Sequence, residues 1–207
     1  MERTKASDRV VYVVDDDDAA LHSLVLLLKT NGLTTRGFLS AAEFLADLDP
    51  LARGCLITDL KMPEMDGVQL IQTLKAQGSM LPVIVVTGHA DVTRAVDAMK
   101  AGAAEFIEKP YEAELILRLV RDCLERNDEV MDAQAWRNRV QQRLDSLTAR
   151  ERQVLDLLIE GASNKVVAQK LGISSRTVEI YRASVMSKMR ADSLSQLVRM
   201  TLSTGAA

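Results

Sequence analysis

Aromatic residues are scarce in this chain of 207 residues: three Phe, three Tyr and one Trp make up 3% of it. A core must then be packed from Ala, Val, Leu, Ile and Met, and a hydrophobic share of 47% supplies enough of them. Cysteine and histidine are rarer still, at two each. Cys55 and Cys123 lie far apart and belong to no Cys-x-x-Cys or Cys/His group, so both read as buried free thiols, and a zinc site lacks a ligand set. No apolar run approaches the ~18 residues that a membrane span needs. The first residues, MERTKASDR, lack the apolar stretch of a signal peptide. The expectation is a soluble, cytoplasmic protein with no membrane partner.

The net charge of -3 is small, yet it is unevenly spread. Residues 1–126 carry 14 basic and 20 acidic side chains, whereas residues 147–207 carry 9 and 5. An acidic half joined to a basic half implies different partners, with a polyanion favoured by the second.

From Val10 onward, short β-rich runs alternate with helical segments. The strand candidates are Val10–Val14, Thr34–Phe38, Cys55–Thr58, Pro82–Thr87 and Glu105–Ile107. Between and after them lie Ala19–Asn31, Ser40–Leu48, Gly67–Gln77, Asp91–Ala101 and Glu112–Arg126, of which three are followed by glycine (Gly32, Gly78, Gly102). Apolar strands separated by helices predict an α/β domain with a doubly wound, five-stranded parallel sheet, whose site lies at the carboxyl ends of the strands. Residues 112–143 hold neither Gly nor Pro, and Leu115, Leu119, Leu124, Met131, Trp136, Val140 and Leu144 recur at three to seven residues. Either one helix runs on into a linker, or a frayed polar connector carries a few apolar residues. The domains are drawn at 1–125, with a linker at 126–145 and a smaller all-α domain at 146–207.

In that smaller domain Thr148 and Glu151 have capping-box spacing and open a helix ending near Gly161. Asn164–Leu171, closed by Gly172, and Ser175–Met189, capped by Ser174, follow, and Ser193–Leu202 forms a fourth helix. A helix, a tight turn and a second helix are the helix-turn-helix pattern.

Four strand ends carry chemistry in the first domain. Asp15, Asp16, Asp17 and Asp18 follow the first strand, Asp59 the third, Thr87 ends the fourth, and Lys109-Pro110 follows the fifth. A parallel sheet gathers these at one edge, where carboxylates repel unless a cation compensates. Hard oxygen donors with open positions suit Mg²⁺, and a neighbouring ammonium and hydroxyl suit phosphoryl oxygens, so phosphoryl transfer to Asp59 is the indicated chemistry. A single Asp after a strand is usually only a turn or a cap, and Lys-Pro alone is uninformative; the weight lies in four matches in order.

The runs Val-Val-Asp15-Asp16, Thr58-Asp59-Leu-Lys-Met-Pro-Glu-Met-Asp-Gly67, Val-Val-Thr87-Gly-His, Met-Lys-Ala-Gly-Ala103 and Phe106-Ile-Glu-Lys109-Pro110 resemble a two-component response-regulator receiver over residues 10–125. The resemblance implies that Asp59 accepts phosphate from a sensor histidine kinase. It implies Mg²⁺ held by Asp16, Asp59 and the Lys61 backbone carbonyl, with Asp15 acting mainly through water, and a cis Lys109–Pro110 peptide. It also implies a switch in which Thr87 moves toward the phosphoryl group and Phe106 turns inward. Val92, Val96 and Met99 belong either to a surface that changes or to ordinary core. Asp17 and Asp18 read as solvated or capping, His22 as helix surface, and His89 as a loop residue or a modulator of phosphate lifetime.

Leu147-Thr-Ala-Arg-Glu-Arg-Gln-Val-Leu155, Gly161-Ala-Ser-Asn-Lys165, Leu171-Gly-Ile-Ser-Ser-Arg-Thr-Val178 and Lys188-Met189 resemble the LuxR-type helix-turn-helix. Val154, Leu155, Leu158, Val166, Val167, Leu171, Val178, Val185 and Met189 are its expected core. A recognition helix presents its first residues to base edges in the major groove. Arg176, Thr177 and Glu179 are therefore the expected base-facing residues, and Lys165, Arg182 and Lys188 the phosphate contacts. Tyr181 departs from the histidine common in the family.

The order of the halves, with Val86-Thr-Gly-His-Ala-Asp-Val92 and Val178-Glu-Ile-Tyr-Arg-Ala183, resembles the FixJ branch of the NarL group. That implies a non-enzymatic, phosphorylation-dependent regulator of promoter DNA, released and dimerised by phosphate, with RNA polymerase a candidate partner. A haloacid-dehalogenase-type phosphohydrolase is the rival of another class, but Asp15-Asp16-Asp17-Asp18-Ala19 lacks the last position of its Asp-x-Asp-x-Thr/Val motif. A phosphorelay module whose helices bind no DNA is the second rival.

Overall fold

The computed structural model describes residues 9–49, 51–88 and 92–203. The chain divides into two compact units, residues 1–131 and 132–207.

In the first unit β1 (Arg9–Val14), β2 (Thr35–Phe38), β3 (Arg53–Asp59), β4 (Val83–Thr87) and β5 (Glu105–Glu108) alternate with α1 (Asp18–Thr30), α2 (Ala41–Asp47), α3 (Gly67–Ala76), α4 (Val92–Ala101) and the start of α5 (Ala113–Asp145). All pairings are parallel, in the order β2-β1-β3-β4-β5. The expected five-stranded, doubly wound sheet is present. β1 has neighbours on both sides, so the connections depart from it in opposite directions and open a crevice beyond the carboxyl ends of β1 and β3.

Each face of the sheet is sealed by aliphatic packing. On one side Val11, Val13, Cys55, Ile57, Ile84 and Val86 meet Leu21, Leu24 and Leu28 of α1 and Ile116, Val120 and Cys123 of α5. On the other, Tyr12, Val14, Leu56, Val83 and Val85 meet Phe44 of α2, Leu70, Ile71 and Leu74 of α3 and Ala98 of α4. Three of the few aromatics, Tyr12, Phe38 and Phe44, cluster there with centroids 5.4–6.4 Å apart. Both cysteines are free and buried.

Local sequence sets the helix starts. Asp17 accepts from the Ala19 and Ala20 N–H groups at the head of α1, and Asp66 forms a capping box with Gln69 at α3. His22 is exposed on α1. On α4, Val96 and Met99 are surface residues (43% and 48% exposed) while Ala98 is buried. His89 and Asp91 lie outside the described residues.

The residues of α5 form a single 33-residue helix, the run-on alternative of the sequence reading. Its first half packs in the first unit. In the second unit Val140 and Leu144 are buried with Leu155, Val185, Met189, Leu197 and Met200, whereas Trp136 is exposed. α6 (Ala149–Ile159), α7 (Asn164–Leu171), α8 (Ser175–Met189) and α9 (Leu194–Ser203) complete that unit. A second cluster joins Val154, Leu158, Val167, Ala168 and Val178. Val166 is a correction: expected in the core, it is 41% exposed. Val167, Ala168 and Leu171 form the inward stripe of α7, and Val166 lies off its edge. Among the described residues no helix is long and apolar enough to cross a membrane.

Candidate phosphorylation pocket and nucleic-acid interface

Asp15 leaves β1 directly, and its side chain is almost wholly buried, with 6% of the residue exposed. Burial of a carboxylate is costly unless donors meet it. Two do: the Asp17 N–H reaches Oδ1 at 3.0 Å, and the Lys109 ammonium reaches Oδ2 at 2.7 Å. The same ammonium donates to Asp59 Oδ1 at 3.0 Å, and Asp59 Oδ2 accepts from the Lys61 N–H at 2.6 Å. One lysine thus bridges acids contributed by β1 and β3 from the end of β5.

A backbone hydrogen bond anchors that lysine to β4. Its N–H donates to the Thr87 carbonyl at 2.7 Å, and the Lys109–Pro110 peptide is cis, as expected. Partial burial works against the Lys109 charge, but hydrogen bonds to Asp15 and Asp59, and the two negative charges themselves, outweigh it and lift the lysine pKa above its ordinary value. The residue is therefore a fixed cation at neutral pH.

Thr87, at the end of β4, is 1% exposed. Phe106 on β5 is partly buried against the Phe44 side of the sheet. Asp16 is exposed beside the pocket, and Lys61 meets Asp59 through its N–H. Gly67 stands in the run that resembles a receiver and starts a predicted helix, but its sequence position announced no role for it. Its N–H donates to the Leu60 carbonyl at 3.0 Å, and a Cβ there would sit 2.6 Å from the Asp59 carbonyl oxygen. Only glycine lets the head of α3 close against the loop that carries Asp59.

Among the described residues no group of three or more His, Cys, Asp or Glu side chains has metal-holding geometry. The donor set nevertheless fits Mg²⁺. Two carboxylates already converge on one cation, Asp16 adjoins them in sequence, and Mg²⁺ commonly takes one or two protein carboxylates with the remaining positions left to water and phosphate.

In the second unit α7 and α8 are joined by Gly172-Ile173-Ser174. Gly172 has φ 66° and ψ 35°, a left-handed cap that suits glycine. The Ser174 hydroxyl accepts from the Thr177 N–H at 3.1 Å and starts α8. Opposite the buried Val178, Val185 and Met189, α8 exposes Arg176, Glu179, Ile180 and Ala183, with Thr177 and Arg182 half-buried. Lys165 is exposed on α7. Arg182 donates to Asn164 Oδ1 at 3.3 Å. Lys188 has an internal partner that the spacing did not announce, Glu151 at 2.7 Å; only the Glu151 end of this pair was legible, as half of a capping box.

Comparison with known proteins covers both units. Residues 11–121 match the response regulator receiver domain, and residues 145–201 match the bacterial regulatory proteins of the luxR family. The transcriptional regulatory protein FixJ of Azorhizobium caulinodans is 50% identical over 95% of this chain and 93% of its own. The response regulator protein TodT of Pseudomonas putida is 40% identical over 94% and 87%. Among solved structures, the response regulator StyR is similar with a TM-score of 0.89 at 38% identity, covering 94% of this chain and 98% of that one. Full-length FixJ from B. japonicum gives 0.59 at 42%, over 96% and 98%. With a receiver pocket on one unit, a helix-turn-helix on the other and relatives aligned along nearly the whole length, the chain belongs to the NarL/FixJ group of response regulators, phosphorylation-dependent transcriptional regulators with a LuxR-type DNA-binding domain.

Proposed function

We propose that Asp59 is the phosphoacceptor and that its esterification governs DNA binding by the second unit. The observation that carries this is the Lys109 ammonium shared by Asp15 and Asp59 at the carboxyl edge of the sheet. An Asp59 carboxylate oxygen attacks the phosphorus of a phosphohistidine on a sensor kinase; the P–N bond breaks and its electron pair returns to the imidazole. Lys109 and the Lys61 N–H hold the Asp59 carboxylate for attack, and Lys109 then offsets phosphoryl charge. Asp15, Asp16, Asp59 and the Lys61 carbonyl are the residues that would hold Mg²⁺. When bound, the ion supplies charge neutralisation between carboxylates and phosphoryl oxygens.

A phosphoryl group adds about -1.5 to -2 charges and new acceptors. The Thr87 hydroxyl gains a partner present in one state only, and Phe106 follows into the space it leaves. Such coupling is typically about 1–3 kcal/mol, enough to shift a dimerisation equilibrium. We place the receiver at 1–125 and the DNA-binding half at 146–207, joined by a helical linker at 126–145. In the second half Arg176, Thr177 and Glu179 face base edges, while Lys165, Arg182 and the remaining donor of Lys188 serve phosphates. Two copies would present their recognition helices to half-sites about one helical turn apart. Promoter DNA and a sensor kinase are the partners this requires, with RNA polymerase a candidate third, in the cytoplasm, and no catalytic turnover of a small substrate is part of it.

Selection of genomic DNA fragments with and without acetyl phosphate, using wild type and Asp59→Asn, tests the reading. Enhanced recovery of specific sites should occur only when Asp59 is present. Equal enhancement in the variant would remove Asp59 from the mechanism.

A further inference from the structure

One cavity of the second unit shares only Lys188 with the roles above. It measures about 370 Å³ and is lined by Arg139, Gln142, Arg143, Ser146, Lys188 and Arg190, where the last turns of α5 meet the carboxyl end of α8. Four of the six lining residues are cationic and none is acidic. Crowded cations repel one another unless an anion joins them.

Internal partners account for only part of this charge. Lys188 is matched by Glu151. Arg143 donates one bond to the Met189 carbonyl at 3.0 Å, which covers the negative end of the α8 dipole that would otherwise oppose an anion. Asp145, close by in sequence, accepts from Gln141. Among the described residues no carboxylate stands within ion-pair distance of Arg139, Arg143 or Arg190.

Arg190 supplies an independent observation. It caps α8 in the left-handed region, φ 52° and ψ 47°, a position that favours glycine or asparagine. An arginine held there, with its neighbour Lys188 and the one-turn pair Arg139 and Arg143, concentrates guanidinium groups around one opening. Guanidinium is the side chain best matched to phosphate oxygens, through paired N–H donors.

We propose that this pocket is a phosphate-binding site whose natural ligand is a DNA backbone phosphate flanking the bases read by α8. The choice of DNA rests on the function proposed above. From Arg176 to Arg190 the helix rises roughly 21 Å, against a major groove about 12 Å wide, so its carboxyl end meets backbone rather than base edges.

Trp136, the single tryptophan, provides the readout, because the Arg139 guanidinium lies 5.9 Å from its ring centroid. Full-length wild type and an Arg139→Gln/Arg190→Gln variant, both positions being exposed, are titrated with inorganic tripolyphosphate at low salt while Trp136 emission is followed. In parallel, affinity for a selected DNA site is measured against salt concentration. The expected results are a saturable change of emission that the variant loses and a log–log salt slope less negative by about 0.9 for each phosphate contact removed, with base preference unchanged. A lost tripolyphosphate response with an unaltered salt slope would overturn DNA as the source and assign the pocket to a free oligophosphate. No difference between the proteins in either measurement would overturn the pocket itself. Wild type that responds to tripolyphosphate but binds no DNA would sink the DNA-binding reading while leaving the pocket standing.

Discussion

Glu151 shows how much one side chain can carry. It is 5% exposed and accepts from the Thr148 N–H at 2.7 Å, the Thr148 hydroxyl at 2.9 Å, the Ser184 hydroxyl at 2.6 Å and the Lys188 ammonium at 2.7 Å. Lys188 first, then Ser184 and Thr148, hold its carboxyl at about 2, against an opposing effect of burial. A pKa lowered by folding stabilises the fold above the unfolded value and ceases to do so as pH falls through the folded one. Thermal melts of the second unit should therefore lose stability between about pH 4.5 and 2. Glu151→Gln should flatten that dependence and cost about 1–3 kcal/mol at neutral pH, measured by chemical denaturation. Gly67→Ala tests a different residue-scale constraint. Its methyl would meet the Asp59 carbonyl at 2.6 Å, so the loop must shift. We expect a loss of about 1–3 kcal/mol together with slower phosphorylation by acetyl phosphate, followed by intact mass.

Elements are fixed by contacts of longer reach. Asn127 of α5 is 2% exposed; its side chain accepts from the Gly54 N–H at 3.0 Å and donates to the Met80 carbonyl at 2.8 Å. Beside it Asp128 is ion-paired with Arg9 and, at 3.7 Å, with Arg53. These bonds tie α5 to the amino-terminal edge of β1 and β3. Asn127→Leu would strand the buried Gly54 N–H at about 1–3 kcal/mol, and hydrogen exchange should show faster opening at Gly54. Sequence could not announce this clamp, because Asn127 sits in a polar run and its bonding partner is 73 residues away. By contrast, β-rich runs ending in Asp15, Asp59 and Thr87 were legible because apolar strands with polar ends leave few alternatives. Strand limits were less so: β3 begins at Arg53 because it pairs there with Arg9 of β1, a property of the partner rather than of the residue. Both adjacent valines of α7 are expected in the core from the sequence, and packing against the neighbouring helices admits only Val167.

At the scale of the whole molecule, chemistry and recognition occupy separate units with opposite charge. If Asp15, Asp16 and Asp59 hold Mg²⁺ as proposed, removing the ion with a chelator should abolish acetyl-phosphate labelling of Asp59 while leaving both units folded by circular dichroism. Restoring the ion should restore the labelled mass. Labelling that proceeds unchanged in chelator would refute the assigned ligand role. The same division is written into the rarest side chains. Cys55 and Cys123 are buried together in the first unit, and burial pushes the Cys123 thiol up to about 11 and Cys55 higher still, so neither is an accessible thiolate in the native fold. Trp136 belongs to the other unit. Alkylation kinetics therefore clock the opening of one half, and indole emission reports the melting of the other, without a label being added to either.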